Sequence, residues 1–319
     1  MSKRKLKCKW SEENAFYANL ELEAQARSLG MTLEEYDLYN QKQFLEDPQS
    51  VTKSTPYILF RRSLVEQEEV DAARKYFNVV FQHEEIPSGS LVIPRYSALP
   101  FYQYLEDGIK VLGSSLINSY RQHRYVADIE SWYPDFELTT PKTWFSLESV
   151  PRDLTCSFVL KGETNSKKHE WNTHMFAKTY ADINQVHKNL TSDSLIGSQK
   201  IYVRKYVPLR EVGTRIDGRP VTEEYRVFVL DGKILSKAFY WSEYYDVVKP
   251  EDQDPANIPE GFLSGLVDAV GDSIRFWVVD VARTAKGSWM VIELNDGQMS
   301  GLSLTDPCKL YKEMATILT

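Results

Sequence analysis

Two carboxylates and an amide carry the clearest chemical signal in this 319-residue sequence. They are Asp280, Glu293 and Asn295, within SIRFWVVDVARTAKGSWMVIELNDGQMSGLSL at residues 273–304. Ile274 to Arg283 is rich in β-branched and aromatic residues, Ala285-Lys286-Gly287-Ser288 supplies turn chemistry, and Trp289 to Leu294 reads as strand again. If Arg283 opposes Met290 across the turn, Asp280 falls opposite Glu293. Side chains alternate along a strand, so Glu293 and Asn295 share a face. Converging acids repel and raise one another's pKa, which weakens a sheet. A divalent cation removes that conflict, and hard oxygen ligands together with nucleotide phosphates suit Mg²⁺. A solvent-facing hairpin whose acids do no chemistry is the competing reading.

Basic residues are distributed around this set. Lys161 ends a strand-like run, Ser157-Phe158-Val159-Leu160-Lys161, and the polar stretch GETNSKKHEWNT follows at 162–173. Its donors (Thr164, Asn165, Ser166, Lys167, Lys168, Asn172, Thr173) suit a phosphate cover, and equally a plain surface loop. Lys178 closes the segment. Glu224, Arg226 and Phe228 share one face of a hairpin whose turn is Asp231-Gly232. A guanidinium there is either half of a structural pair or a fork for phosphate oxygens. Arg121, His123 and Arg124 cluster on one helix, a solvated face or a phosphate contact.

Composition bounds the rest. With 42% hydrophobic and 26% charged residues the chain reads as an ordinary folded protein, and its length suggests about two domains. A net charge of −7 argues against a general nucleic-acid binder, because phosphate neutralisation supplies most of such affinity. No apolar run approaches the roughly 20 residues of a membrane span, and no signal-peptide pattern opens the chain. Three cysteines without a C-x-x-C pair fit free thiols in a reducing compartment. The expected location is cytoplasmic.

The elements that must position these residues fall into four stretches. Residues 1–55 hold a basic tail and two helices, starting near Ser11 and Thr32. Residues 56–140 alternate strands (57–60, 78–81, 90–94, 110–112) with helices (66–76, 100–107, 115–129), which implies a parallel α/β sheet. Residues 141–200 form a central subdomain and 201–319 a C-terminal one, closing with a helix from Pro307 to Leu318. The predicted class is α/β, α+β in the last two stretches. There is no G-x-x-x-x-G-K-[ST], no G-x-G-x-x-G, no H-E-x-x-H and no G-x-S-x-G; of the five histidines only His169 and His174, five residues apart in a loop, have zinc-site spacing, and a zinc site is not expected.

The ordered set Lys161, loop 162–173, Glu224-Tyr225-Arg226, Asp280 and Glu293-Leu294-Asn295 resembles the ATP-grasp fold. The resemblance spans residues 56–318 and is strongest over 161–302. YVRKYVPL, EYRVFVLDGKIL and VIELNDGQMSGL are similar to a bacterial and phage ATP-grasp branch. EYRVFVLDGKILSKAFYWSEYYD also resembles the cell-division-cycle family that chaperones assembly of a translation initiation factor.

The resemblance implies ATP and Mg²⁺ as cofactors. Lys161 would contact the adenine and α-phosphate side, with Lys178 a weaker candidate for the same pocket. Strand 200–207, which carries Arg204, would link the two ATP-clamping subdomains, and Glu224 and Arg226 would contact the nucleotide. Asp280, Glu293 and Asn295 would bind the metal. Gln298, Ser300 and Gly301 stand where a carboxylate substrate would be presented. The earlier lysine usual in the family is not evident, and Arg121 or Arg124 would replace it. The implied reaction joins the carboxylate of an amino acid, peptide or protein to an amine through an acyl phosphate, without a side-chain nucleophile. Its lid would be 162–173 or the loop 252–259. The rival functions are an ATP-binding assembly chaperone and a phosphoryl-transfer enzyme acting on RNA or protein.

Overall fold

A computed structural model of the chain describes residues 32, 55–62, 65–99, 101–164, 166–194 and 196–319. The basic tail, the two expected N-terminal helices (apart from Thr32) and Asn165 lie outside the described residues.

Strands β1 (Tyr57–Leu59), β2 (Asn78–Val80), β3 (Leu91–Pro94) and β4 (Ser115–Leu116) pair in parallel in the order β2-β1-β3-β4. Their runs are apolar at successive positions because helices cover both faces. Ile58 and Ile93 pack toward helix α1 (Gln67–Arg74), and Leu59 and Val92 toward α2 (Tyr102–Val111). The strand expected at 110–112 is instead the end of α2. Leu105 and Ile109 bury one side of that helix, so the apolar Val111 continues its turn into solvent, at 86% exposure. The fourth strand comes after Gly113, whose φ of 71° turns the chain.

The single helix expected over 115–129 is two. Ser119 and Gln122 form a capping box that starts α3 (Tyr120–Ala127). Asp128 then leaves helical geometry at ψ 116° and caps Glu130 N, starting α4 (Ile129–Phe136). Pro134 lies inside α4 rather than breaking it, because Trp132, Tyr133 and Phe136 are buried and hold the helix against the core.

The second sheet is antiparallel, in the order β5-β8-β6-β7: β5 (Thr143–Trp144), β6 (Phe158–Gly162), β7 (Phe176–Ala177) and β8 (Ile201–Lys205). Helix α5 (Ile183–Thr191) covers it with Ile183, Val186 and Leu190. A small hairpin, β9 (Glu211–Thr214) and β10 (Pro220–Thr222), follows the linker 206–209. The third sheet runs β12-β11-β13-β14, all antiparallel: β11 (Glu224–Leu230), β12 (Lys233–Phe239), β13 (Phe276–Arg283) and β14 (Trp289–Asp296). Helices α6 (Pro250–Gln253), α7 (Glu260–Val270) and α8 (Pro307–Leu318) complete the described chain.

Alternation divides the third sheet's side chains. Tyr225, Val227, Trp277 and Val279 face α4 and α7, whereas Phe228, Phe276 and Val278 face α8 and the first sheet. Each large side chain so buried contributes roughly 1.5–3 kcal/mol. Among the described residues no helix is long and apolar enough to cross a membrane.

Candidate active site

The second face of β11, β13 and β14 carries the chemistry. Arg226 pairs across the ladder with Asp280, and Asp280 with Glu293, so three charged residues form one row. Arg283 opposes Trp289 rather than Met290. A bulge that leaves Ile292 unpaired takes up the difference and brings Asp280 opposite Glu293 as expected.

Arg226 donates from Nε and Nη2 to the two Asp280 oxygens, both at 2.8 Å, and from Nη1 to the Gly301 carbonyl at 2.8 Å. Burial alone would lower the arginine's pKa; the Asp280 charge reverses that and holds it above its ordinary value. Lys161, at the far end of β6, donates to Glu293 Oε1 at 2.9 Å and so joins the second sheet to the third. Arg204 on β8 uses the bulge: Nη1 donates to the Ile292 carbonyl at 2.7 Å, and Nη2 to Thr140 Oγ1 at 2.7 Å. Burial pushes its pKa down to about 10.

Two cavities meet at the Lys161–Glu293 pair, and both are lined by it. The first, about 370 Å³, lies between the second and third sheets against the linker; Val159, Arg204, Met290, Ile292 and Glu224 line it. Ser166, Trp171, Asn172 and Met175 of the polar segment also line it, where Lys168–Glu170 and Trp171–Met175 form short helical turns. The second, about 260 Å³, opens toward α3 and α4 and is lined by Arg226, Asn295, Met299, Ser300, Gly301 and Thr164.

Most of the expected site residues therefore converge; Asp280 lies beneath them, 2% exposed and lining neither cavity, and other places differ. Lys178 is exposed and lines neither cavity. Gln298 is fully buried and donates to Tyr102 Oη at 2.6 Å, so it supports the loop rather than facing the second cavity. The loop 252–259 is not a lid over this face. Its Asp252 carbonyl accepts from Tyr225 Oη at 2.9 Å, and Tyr225 points to the opposite face from Arg226. Arg121 is exposed, while Arg124 pairs with Asp128 at 3.0 Å and Glu163 at 2.5 Å, tying α3 to the segment after Lys161.

A buried hub lies beyond the reach of the sequence pattern. Asp296 accepts from Asn118 Nδ2 at 2.9 Å and from Gln298 N at 2.9 Å, and meets His123 Nδ1 at 3.1 Å. His123 stacks on Tyr102 with ring centres 4.1 Å apart. The one signal in the sequence is His123 in the basic helix cluster, which reads there as a surface feature.

The donor set fits a hard cation. Each carboxylate oxygen carries more than one lone pair, so Asp280 and Glu293 retain acceptor capacity beside their arginine and lysine, and Asn295 adds a carbonyl on the same face. Among the described residues no group of three or more His, Cys, Asp or Glu is arranged to hold a metal; this set has two acids and an amide.

The sequence over residues 151–314 matches the model of a family described as an ATP-grasp domain, the third family of its clade. The chain belongs to this ATP-grasp family. Solved structures share the ATP-grasp fold at low identity. D-cycloserine synthetase DcsG aligns at TM-score 0.55 and 14% identity, over 82% of this chain and 99% of that one. The ATP-grasp ligase PsnB, complexed with a phosphomimetic variant of its minimal precursor, Mg and ADP, aligns at 0.51 and 11%, over 86% and 100%. D-alanine–D-alanine ligase from Bacillus anthracis, complexed with ATP, aligns at 0.52 and 11%, over 83% and 96%. No curated protein matches the chain. In this ATP-grasp protein the Lys161–Glu293 pair marks the junction of the second and third sheets.

Proposed function

We propose that the protein is an ATP- and Mg²⁺-dependent ligase that joins a carboxylate to an amine through an acyl phosphate, releasing ADP. The observation that carries this reading is the pair of contiguous cavities meeting at Lys161 and Glu293. The first cavity offers an apolar slot for a base, and the second offers Arg226, Asn295, Ser300 and Gly301 for phosphates and a carboxylate. Asp280, Glu293 and Asn295 would hold the metal. When bound, Mg²⁺ supplies charge neutralisation at the phosphate oxygens.

The chain's own residues do the rest. Lys161 donates to phosphate oxygens, Glu293 would be one of the groups holding the cation, and Arg226 offers its guanidinium edge toward the transferring group while Asp280 keeps it oriented. A carboxylate oxygen attacks the γ-phosphorus and ADP leaves; the amine nitrogen then attacks the acyl carbon and phosphate leaves. Water must be excluded from the acyl phosphate, and the segment carrying Ser166, Trp171 and Asn172 covers the cleft for that purpose. The substrate class we favour is an amino acid, a peptide or a protein, in a cytoplasmic setting. PsnB, with its precursor peptide, and the D-alanine ligase support it by fold.

The test is purified protein with ATP, Mg²⁺ and a library of carboxylates and amines, read by nucleotide analysis and mass spectrometry. A ligase releases ADP with a condensed product. ATP binding without substrate-stimulated ADP release contradicts the ligase and favours an assembly chaperone; AMP release indicates adenylation.

A further inference from the structure

The first cavity has a wall that the reaction above does not use. Hairpin β9–β10 follows the linker directly and brings Arg215 and Arg219 to the cavity, where Trp241, just past β12, meets them. The Arg215 guanidinium carbon lies 5.3 Å from the Trp241 ring centre and 5.4 Å from that of Tyr244. Asp217, at the hairpin turn, sits 2.5 Å from Arg219 Nη2 and 3.5 Å from Arg215 Nη2. Yet Arg215 Nε and Trp241 Nε1 are both buried without a hydrogen-bond partner among the described residues. Buried N–H groups are nearly always paired, so two orphans from residues lining one cavity point to a ligand that accepts.

The three parts of a nucleotide make different demands. A base needs flat apolar faces, which Val159 on β6 and Met290 and Ile292 on β14 provide. The phosphates need Lys161 and Arg226. The sugar needs groups that both donate and accept, because each hydroxyl does both. Glu224 stands two residues from Arg226 on the same face of β11, about 7 Å along the strand. Tyr240 N donates to the Glu224 carbonyl at 2.9 Å, which sets Trp241 beside it. Trp241, Arg215 and the Glu224 carboxylate therefore line the cavity one sugar's span from the phosphate arginine. Two donors beside a carboxylate acceptor match a cis-diol.

We propose that Arg215 and Trp241 are specificity-determining residues that bind the ribose hydroxyls of the nucleotide, an inference that rests on the ATP reading above. In the structure the Arg215 guanidinium lies over the Trp241 and Tyr244 rings. The guanidinium reaches a ligand by sliding over the aromatic faces, and Nε breaks no hydrogen bond in doing so. Asp217 anchors the hairpin through Arg219 while Arg215 moves.

The experiment measures dissociation constants for Mg·ATP and Mg·2′,3′-dideoxy-ATP on the wild-type chain, Trp241→Phe and Arg215→Met, by calorimetry. The wild type is expected to prefer ATP by about ten-fold or more, given two hydrogen bonds at stake. Trp241→Phe, which keeps an aromatic ring and removes one donor, is expected to bind ATP about 2–10-fold more weakly, with the preference reduced accordingly. Arg215→Met is expected to lose more, about ten-fold or above, as for a charged donor. If Arg215→Met fails to fold, Trp241→Phe decides alone. A wild type that binds both nucleotides equally, or a folded Trp241→Phe variant with the wild-type preference, overturns this inference and leaves the ATP reading standing. A wild type that binds neither overturns the ATP reading itself.

Discussion

Two ion pairs stand next to each other at the cleft, and they differ in what they join. Arg226–Asp280 links neighbouring strands of one sheet through two 2.8 Å bonds, with side chains 12% and 3% exposed. Lys161–Glu293 links two different sheets through a 2.9 Å bond, with side chains 7% and 20% exposed, so that the acid rather than the base is the open partner. The first pair is part of the sheet, because neither charge can lose its partner without being stranded in a low-dielectric interior. The second, under the proposed function, is a contact that ligands would take over, phosphate replacing Glu293 for the lysine and a cation replacing Lys161 for the glutamate. In the proposed function the fixed pair positions an arginine, while the exchangeable pair would mark where the nucleotide enters.

The largest expected effect breaks the fixed pair. Asp280→Ala should cost about 3–5 kcal/mol of stability in urea unfolding, the range for a buried pair that loses one partner. A loss below about 1 kcal/mol would place this pair with ordinary surface bridges. The exchangeable pair should behave in the opposite way. Lys161→Met, which leaves the partly exposed Glu293 within reach of water, should cost less stability than Asp280→Ala and weaken Mg·ATP binding about ten-fold or more in calorimetry. Equal stability losses in the two variants would erase the distinction. Gln298→Ala serves as a buried reference away from the cavities. It removes hydrogen bonds to Tyr102 and Asp296 and should cost about 1–3 kcal/mol while leaving nucleotide affinity within about two-fold.

The smallest effect belongs to the exposed hairpin. A hydrogen bond from Arg219 holds the Asp217 pKa at about 2, below its ordinary 3.8. The lowered value means that Asp217's contribution is fully present above 3.8 and is lost as the pH falls through about 2. A ¹³C carboxyl titration by NMR checks it, and a midpoint near 3.8 would mean that the Arg219 contact is absent in solution.

What the sequence discloses follows from the reach of its periodicities. Strand alternation is local, so Asp280, Glu293 and Asn295 can be placed on one face, and the Asp231-Gly232 turn can be placed with positive φ at both residues. The register at Asp280 is right although Arg283 meets Trp289, because the Ile292 bulge offsets a one-residue error in the turn. The Lys110–Leu112 run misleads because a short apolar stretch does not distinguish a strand from a helix end. The hub at Asp296 depends on His123 and Asn118, 173 and 178 residues earlier, and no local pattern encodes such partners. The same limit hides the position of loop 252–259, which only the packing of Tyr225 reveals.

The most direct test of the exchangeable pair is a calorimetric titration with a non-hydrolysable ATP analogue, with and without Mg²⁺, on the wild-type chain and Glu293→Gln. Binding that Mg²⁺ strengthens is expected in the wild type, and a loss of that Mg²⁺ dependence in Glu293→Gln, with the fold unchanged by circular dichroism. Equal affinity and equal Mg²⁺ dependence in both proteins would contradict that expectation.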